Sequence, residues 1–66
     1  TEVELLVYNI LGQKVKTLLN EEMEPGSYVA TWNGKDEKGY DVSSGIYFYK
    51  LNTKEFTQTK KMLLVR

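Results

Sequence analysis

The chain has 66 residues, 41% of them hydrophobic, which is enough for one small domain with a modest core. It contains no cysteine and no histidine, which excludes disulfide bonds, thiolate chemistry and imidazole-based catalytic or zinc sites. Nine basic and nine acidic side chains give a formal net charge of zero, which argues against a broad nucleic-acid-binding surface.

The first element is predicted to be a half-buried strand over residues 2–9. Apolar and polar residues alternate there, with Val3, Leu5 and Val7 on one face and glutamates on the other. Gly12 follows and predicts a tight turn, because glycine adopts positive φ without steric cost. The chain therefore reverses direction soon after its first strand.

The second element, residues 13–19, is predicted to be the return strand, with Val15 facing inward. Its alternation is lost at Leu18 and Leu19, which predicts a bulge or a change of sheet. A helix over residues 15–23 is the alternative, since several apolar residues there have helical spacing. The strand is preferred, because nine residues without a capping box form a poor isolated helix.

The strongest turn signal in the chain is Pro25-Gly26, in which proline and glycine suit the two central turn positions. Residues 27–33 follow with a new alternation and are predicted to form the next strand. The side chains that share its apolar face are Tyr28, Ala30 and Trp32. This segment is therefore expected to contribute aromatic side chains to the core.

Residues 34–41 are rich in acidic side chains and glycine and are predicted to form a loop or hairpin tip. Four residues offer oxygen ligands for Ca²⁺: Asn33, Asp36, Glu37 and Asp41. Lys35 and Lys38 are interleaved with them, and the spacing is not that of an EF-hand. The favoured interpretation is a solvated turn, capped by Asp36 and closed by Gly39.

The last two elements are predicted to form an antiparallel hairpin. Residues 46–51 have very high β propensity, residues 52–55 supply a turn, and residues 56–65 form the final strand. Charge is unevenly spread along the chain. Residues 21–41 carry six acidic and two basic side chains, whereas residues 50–66 carry five basic and one acidic.

These elements predict one all-β domain, a small immunoglobulin-like antiparallel β-sandwich of five to seven strands. No long helix and no domain boundary is apparent in the sequence. The predicted core consists of Val3, Leu5, Val7, Val15, Tyr28, Ala30, Trp32, Tyr47, Tyr49 and Leu51, with some of Met62, Leu63 and Leu64.

The side chains give little support for catalysis or carbohydrate binding. Carboxylate pairs such as Glu2 and Glu4 are neighbours on an outward face, whereas glycoside hydrolysis needs two carboxyl groups across a cleft. We therefore expect no enzymatic activity, no cofactor and no metal. A carbohydrate-stacking surface would use exposed aromatic rings, for which Tyr8 and Tyr40 are the candidates.

The sequence resembles the C-terminal sorting domains of the type IX (Por) secretion system in four segments that follow one another in the family's order. They are residues 7–15 (VYNILGQKV), residues 25–39 with Trp32 and the Asn-Gly-Lys-Asp loop, residues 45–51 (GIYFYKL) and residues 60–66 (KKMLLVR). The portion from Trp32 to Leu51 is also similar to the immunoglobulin-like domain of flagellar hook-capping proteins.

This resemblance implies a role without catalysis: a single C-terminal sorting domain, residues 1–66, on a secreted protein of Bacteroidota-type bacteria. The implied partners are the outer-membrane type IX translocon, its sortase-like peptidase and an N-terminal cargo domain of the same polypeptide. Cargo would reach the cell surface or medium through the periplasm. Family members begin with a further segment containing Pro-Asn-Pro-Phe, so we expect a domain that lacks its N-terminal edge segment ahead of Thr1.

The resemblance places translocon recognition on the basic terminal strand, with Gly45 and Tyr47 shaping the strand beside it. The terminal residues are Lys60, Lys61, Met62, Leu63, Leu64, Val65 and Arg66. A basic, apolar strand at a sheet edge is suited to recognition by strand addition. The alternative is an accessory module of a secreted hydrolase, acting as a carbohydrate-binding domain or a structural spacer.

Overall fold

The computed structural model describes residues 2–23 and 31–65, whose regular structure is entirely β. Four strands form one antiparallel sheet: β1 (Glu2–Tyr8), β2 (Lys14–Glu22), β3 (Gly45–Thr53) and β4 (Thr57–Leu64). Their order is β2-β1-β3-β4, so β1 and β3 are central and β2 and β4 are the edges. No helix long and apolar enough to cross a membrane occurs in these two ranges.

The turn between β1 and β2 is organised by Asn9. Its Oδ1 accepts hydrogen bonds from the backbone N–H of Leu11 at 2.9 Å and of Gln13 at 3.0 Å, and its Nδ2 donates to Gln13 Oε1 at 2.8 Å. Gly12 has φ of 80°, a left-handed conformation that a β-carbon would strain. The predicted turn at Gly12 is confirmed, and side-chain hydrogen bonds hold it together.

The return strand is also confirmed, and the helical alternative for residues 15–23 is wrong, because β2 extends from Lys14 to Glu22. The pairing of β2 with β1 shifts twice and passes over Val15 and Leu18, which have no partner of their own in β1. Each shift is a bulge, in which an extra residue re-aims the side chains of one strand. The bulge predicted at Leu18 is confirmed, whereas the bulge at Val15 was not predicted.

The prediction of five to seven strands is wrong for the described residues, which form four strands in a single sheet. The strand predicted over residues 27–33 is not among these four. Its last three residues, 31–33, carry no strand pairing, and the others lie outside the described residues. Local hydrogen bonds compete with a sheet here, because Asn33 Oδ1 accepts from the Lys35 N–H at 3.2 Å. The predicted hairpin of the last two elements is confirmed as β3 and β4.

The core is small and centres on Val7, which has no exposed surface. Val7, Val15 and Tyr47 form the buried cluster, and the partly buried residues packed against it are Leu18, Trp32, Val42, Met62 and Leu64. Other predicted core residues are half-buried, namely Val3, Leu5, Tyr49 and Leu51. Leu63 is exposed, whereas Leu6 is buried although it was not predicted to be. Tyr28 and Ala30 lie outside the described residues.

Trp32 fastens the loop before β3 to the sheet. Its ring meets the ring of Tyr47 edge to face, with centroids 5.0 Å apart and planes at 68°. Its Nε1–H donates to the Lys35 carbonyl at 2.9 Å, and the Tyr47 hydroxyl donates to the Ser43 carbonyl at 2.6 Å. The two aromatic side chains therefore bury their rings and still satisfy their polar atoms.

Replacing Trp32 with alanine should lower the free energy of unfolding by about 3–5 kcal/mol, because it removes the ring that packs against Tyr47 and leaves a cavity. A domain this small has a comparable total stability, so the variant should be largely unfolded at room temperature. Thermal and urea unfolding followed by circular dichroism would measure the change. Trp32→Phe is the matched variant, since it keeps an aromatic ring but loses the hydrogen bond to Lys35. A Trp32→Ala protein as stable as the parent would contradict this core.

Candidate functional site

The strand predicted to carry recognition is an edge of the sheet. β4 pairs with β3 from Thr57 to Leu64, and no other strand of the described ranges lies along its far side. An edge strand presents unpaired N–H and C=O groups, on which another strand can assemble. β4 therefore has the backbone geometry that strand addition requires.

Side chains at the C-terminal end of β4 alternate between the core and the solvent, whereas residues 57–61 are all exposed. Met62 and Leu64 are half-buried and pack against the core cluster. The exposed residues are Lys60, Lys61, Leu63 and Val65, with 69% of Leu63 and 76% of Val65 accessible. The predicted recognition residues thus divide into two groups, one that holds the strand in place and one that faces outward. Arg66 lies outside the described residues.

Gly45 and Tyr47 lie on β3 directly beside this strand. Gly45 opposes Leu64 and has φ of 146°, a conformation that other residues rarely adopt, although a β-carbon would meet no atom within 4 Å. Tyr47 opposes Met62 and is 7% exposed. Neither residue offers an exposed side chain to a partner, and their role in shaping the strand beside β4 stays a prediction.

The acidic loop contains a turn capped by Asp36. Its Oδ1 accepts hydrogen bonds from the backbone N–H of Lys38 at 2.9 Å and of Tyr40 at 3.0 Å. The Gly39 N–H donates to the Asp36 carbonyl at 3.0 Å, and Gly39 has φ of 86°. The predicted turn, capped by Asp36 and closed by Gly39, is confirmed.

The oxygen atoms considered as calcium ligands already have partners within the protein. Asn33 Oδ1 accepts from a backbone N–H, and Asp41 Oδ1 lies 2.8 Å from the ammonium nitrogen of Lys35. Lys35 and Asp41 are also joined by an isolated β-bridge. In the described ranges no three acidic side chains are grouped so that they could hold a metal ion.

Glu37, in the same turn, covers part of the open edge of β2. Its backbone N–H donates to the Val15 carbonyl at 3.2 Å, and its Oε1 accepts a hydrogen bond from the Thr17 N–H. One residue thereby satisfies a carbonyl and an amide of β2, as a neighbouring strand would. The two edges of the sheet are therefore unequal, since β2 is partly covered and bulged whereas β4 is regular.

The residues considered for catalysis or carbohydrate binding do not converge. A shallow open groove at the far end of the sheet is lined by Glu2, Glu4, Glu22, Asn52, Thr53 and Lys54. Glu4 Oε1 accepts a hydrogen bond from Asn52 Nδ2 at 3.1 Å. The Glu4 carboxylate therefore helps to join β1 to β3. Tyr8 is half-buried on β1, and Tyr40, 69% exposed, lies in the acidic turn. No ring contact joins the two tyrosines in the described part of the chain.

Sequence reasoning missed two features near the candidate site. The first is the contact of Glu37 with β2, which spans 20 residues of sequence. The second is a row of four side chains across the sheet, in which Lys14, Tyr8, Phe48 and Lys61 oppose one another on successive strands. Alternation assigns a face to each residue, but the strand order brings this row together.

Comparison with protein families gives a match to the FlgD Ig-like domain over residues 1–55. The match covers well over half of the chain, so this chain belongs to the FlgD Ig-like domain family. The immunoglobulin-like part of the resemblance is confirmed, and nothing in the match bears on the type IX sorting part. The matched region ends before β4 begins at Thr57. Comparison with curated proteins and with solved structures gives no match.

Replacing Glu37 with alanine should uncover the β2 edge and promote self-association, because it removes the acceptor for the Thr17 N–H. Sedimentation velocity over a range of protein concentrations would measure the shift from monomer to larger species. Glu37→Gln keeps an acceptor oxygen and should behave like the parent. Glu55→Ala removes a negative charge from the exposed turn between β3 and β4 and controls for net charge. If Glu37→Ala and Glu55→Ala sediment identically, Glu37 does not protect this edge.

Proposed function

We propose that this domain is a non-catalytic C-terminal sorting module, which directs a secreted cargo protein through the outer-membrane type IX translocon. The observation that carries the proposal is β4, an edge strand whose outward side chains are basic and apolar. The translocon would recognise the folded domain by adding a strand along this edge. Main-chain hydrogen bonds would supply affinity, and the outward side chains would supply specificity.

Preorganisation of β4 supports this mode of binding. Met62 and Leu64 pack against the core, and all eight strand residues pair with β3, so the edge is formed before a partner arrives. A strand that is already ordered loses little conformational entropy on binding. The outward row of Lys61, Leu63 and Val65 then offers one cation and two apolar contacts to the incoming chain.

The cover on the β2 edge determines which edge of the sheet a partner strand joins. Glu37 bonds to β2 at Val15 and Thr17, where a strand would otherwise pair. A partner strand therefore adds at β4 in preference to β2. The exposed ammonium groups of Lys60 and Lys61 favour a partner with acidic side chains, mainly by accelerating association.

The biological setting follows from the sorting role. The cargo is an N-terminal domain of the same polypeptide, which crosses the periplasm and ends at the cell surface or in the medium of a Bacteroidota-type bacterium. A sortase-like peptidase is the second partner. The role needs no cofactor and no nucleic acid.

A second candidate function is a structural spacer like the immunoglobulin-like domain of hook-capping proteins, which family membership over residues 1–55 favours. An accessory carbohydrate-binding module is the related alternative, with exposed Tyr40 as its best-placed ring. Assembly with filament subunits would indicate the spacer. Saturable binding to polysaccharide that is lost on replacing Tyr8 or Tyr40 would indicate the carbohydrate module.

A fluorescent reporter fused to the N-terminus of the domain tests the sorting proposal in a bacterium with a working type IX system. The triple substitution Lys60→Gln, Lys61→Gln and Leu63→Ser changes outward side chains and leaves Met62 and Leu64 in the core. We expect the parent domain to export the reporter and the triple variant to export several-fold less. Fluorescence in the periplasmic and extracellular fractions measures the difference.

The control for this assay changes similar residues elsewhere on the surface. Lys54→Gln with Phe56→Ser removes one cation and one exposed apolar side chain in the turn between β3 and β4. It should export as well as the parent, and thermal unfolding should show all three proteins folded. Deletion of residues 60–66 is a less selective variant, because it also removes two core contacts. Equal export by the parent and the triple variant would refute recognition through β4.

A further inference from the structure

Exposed apolar side chains are concentrated at one end of the sheet. Seven large hydrophobic residues in the described ranges are exposed, and five of them share this end: Ile10, Leu11, Ile46, Leu63 and Val65. They come from the β1–β2 turn, the start of β3 and the end of β4, which the antiparallel order brings to the same end. We call these five residues the apolar end. Phe56, by contrast, lies in the turn at the opposite end.

The apolar end projects outward along the length of the molecule. A nine-residue strand spans about 30 Å, and the longest dimension of the domain is 33 Å, so the strands run along its long axis. Ile46 and Leu63 oppose each other on adjacent strands and share the face that carries Tyr8 and Phe48. The groove described above lies at the other end, and we call the end that carries these apolar residues the tip of the sheet.

The tip is rigid. Asn9 holds the β1–β2 turn through three side-chain hydrogen bonds, and Gly12 supplies the left-handed conformation that the turn requires. Ile10 and Leu11 are 69% and 77% exposed within this fixed turn. Their exposure is therefore built into the fold. Polar groups form the turn, so the two apolar side chains are available for a partner.

Two lysines are set back from the tip on the same face. Lys14 opposes Tyr8 on β1, and Lys61 opposes Phe48 on β3, so they flank the central aromatic pair. Both lysines are exposed. In the described part of the chain neither lysine forms an ion pair or a side-chain hydrogen bond. The order from the tip inward is thus apolar side chains first and cations behind them.

We propose that the apolar end binds the surface of a bilayer that contains anionic lipids. Ile10 and Leu11 enter the boundary between headgroups and acyl chains, while Lys14 and Lys61 contact the acidic headgroups. A bilayer presents anionic charge outside and hydrocarbon beneath it, which is complementary to a tip with apolar residues ahead of cations. A protein groove is less well matched, because the exposed apolar groups come from three separate chain segments.

The binding is peripheral, reversible and sensitive to salt, since only a few side chains take part. It shares Lys61, Leu63 and Val65 with the surface proposed for strand addition, but Ile10, Leu11 and Lys14 lie on elements that strand addition does not use, and the test below changes only these three. The proposal therefore stands or falls separately from the sorting function. Its effect would be to hold the domain at a membrane.

Flotation with vesicles tests the proposal on the full 66-residue chain. The probes are vesicles of phosphatidylcholine mixed with phosphatidylglycerol, and vesicles of phosphatidylcholine alone. The parent should bind the anionic vesicles at low salt and much less to the neutral ones. Ile10→Ser with Leu11→Ser should abolish flotation, and Lys14→Gln alone should weaken binding roughly fivefold.

The matched control is Lys54→Gln with Phe56→Ser at the opposite end, which should float like the parent. Thermal unfolding should show that every variant is folded. The proposal is overturned if the parent does not float with anionic vesicles, or if the tip variant and the control float equally. A parent that ignores vesicles, combined with a tip variant that exports poorly in the reporter assay, would assign the apolar end to a protein partner instead of a lipid.

Discussion

Burial of Val7 is the constraint on which the remaining structure depends. Val7 is the one described side chain with no exposed surface, and it lies on a central strand between the core residues Val15 and Tyr47. Because side chains alternate along a strand, a slip of one residue would turn Val7 outward and bring Leu6 and Tyr8 to the core face in its place. A chain of this size has no disulfide bond and few buried side chains that could compensate. The continuous pairing of β1 with β3, which has no register shift, therefore determines which side chains form the core.

Closing the core around Val7 makes the two edges of the sheet different. β2 contributes Val15 and Leu18 to the core through two bulges, and the bulges disturb its pairing and make it a poor template for another strand. Glu37 then occupies part of the edge that remains. β4 contributes Met62 and Leu64 by simple alternation, so its pairing stays regular and its outer edge stays straight. The same packing requirement thus protects one edge and leaves the other open.

Much of the sheet could be predicted from the sequence, because local patterns determine it. The strict alternation of Val3, Leu5 and Val7 predicted β1, Gly12 predicted the turn, and the loss of alternation at Leu18 predicted a bulge. The remaining features depend on contacts between distant residues. Trp32 was assigned to a strand by its alternation, but it lies in a loop shaped by its neighbours' hydrogen bonds.

The candidate site, too, could be predicted from the sequence only in part. Alternation alone separates Met62 and Leu64, which face the core, from Lys61 and Leu63, which face the solvent. The sequence could not show that Lys14 and Lys61 flank one aromatic pair, because they lie on the two opposite edges of the sheet. That arrangement follows from the strand order, and strand order depends on pairing between segments far apart in the chain.

The residues that hold this domain together are largely separate from those that face outward. Val7, Val15 and Tyr47 form the core, and polar groups of Asn9 form the turn, so Leu11 contributes little to folding in its exposed position. An exposed apolar side chain at such a place lowers solubility and adds almost nothing to stability. A group of them at one end is therefore more simply explained by contacts outside the chain than by the fold. This separation also means that outward residues can be changed one at a time while the core, and hence the shape that presents them, is kept.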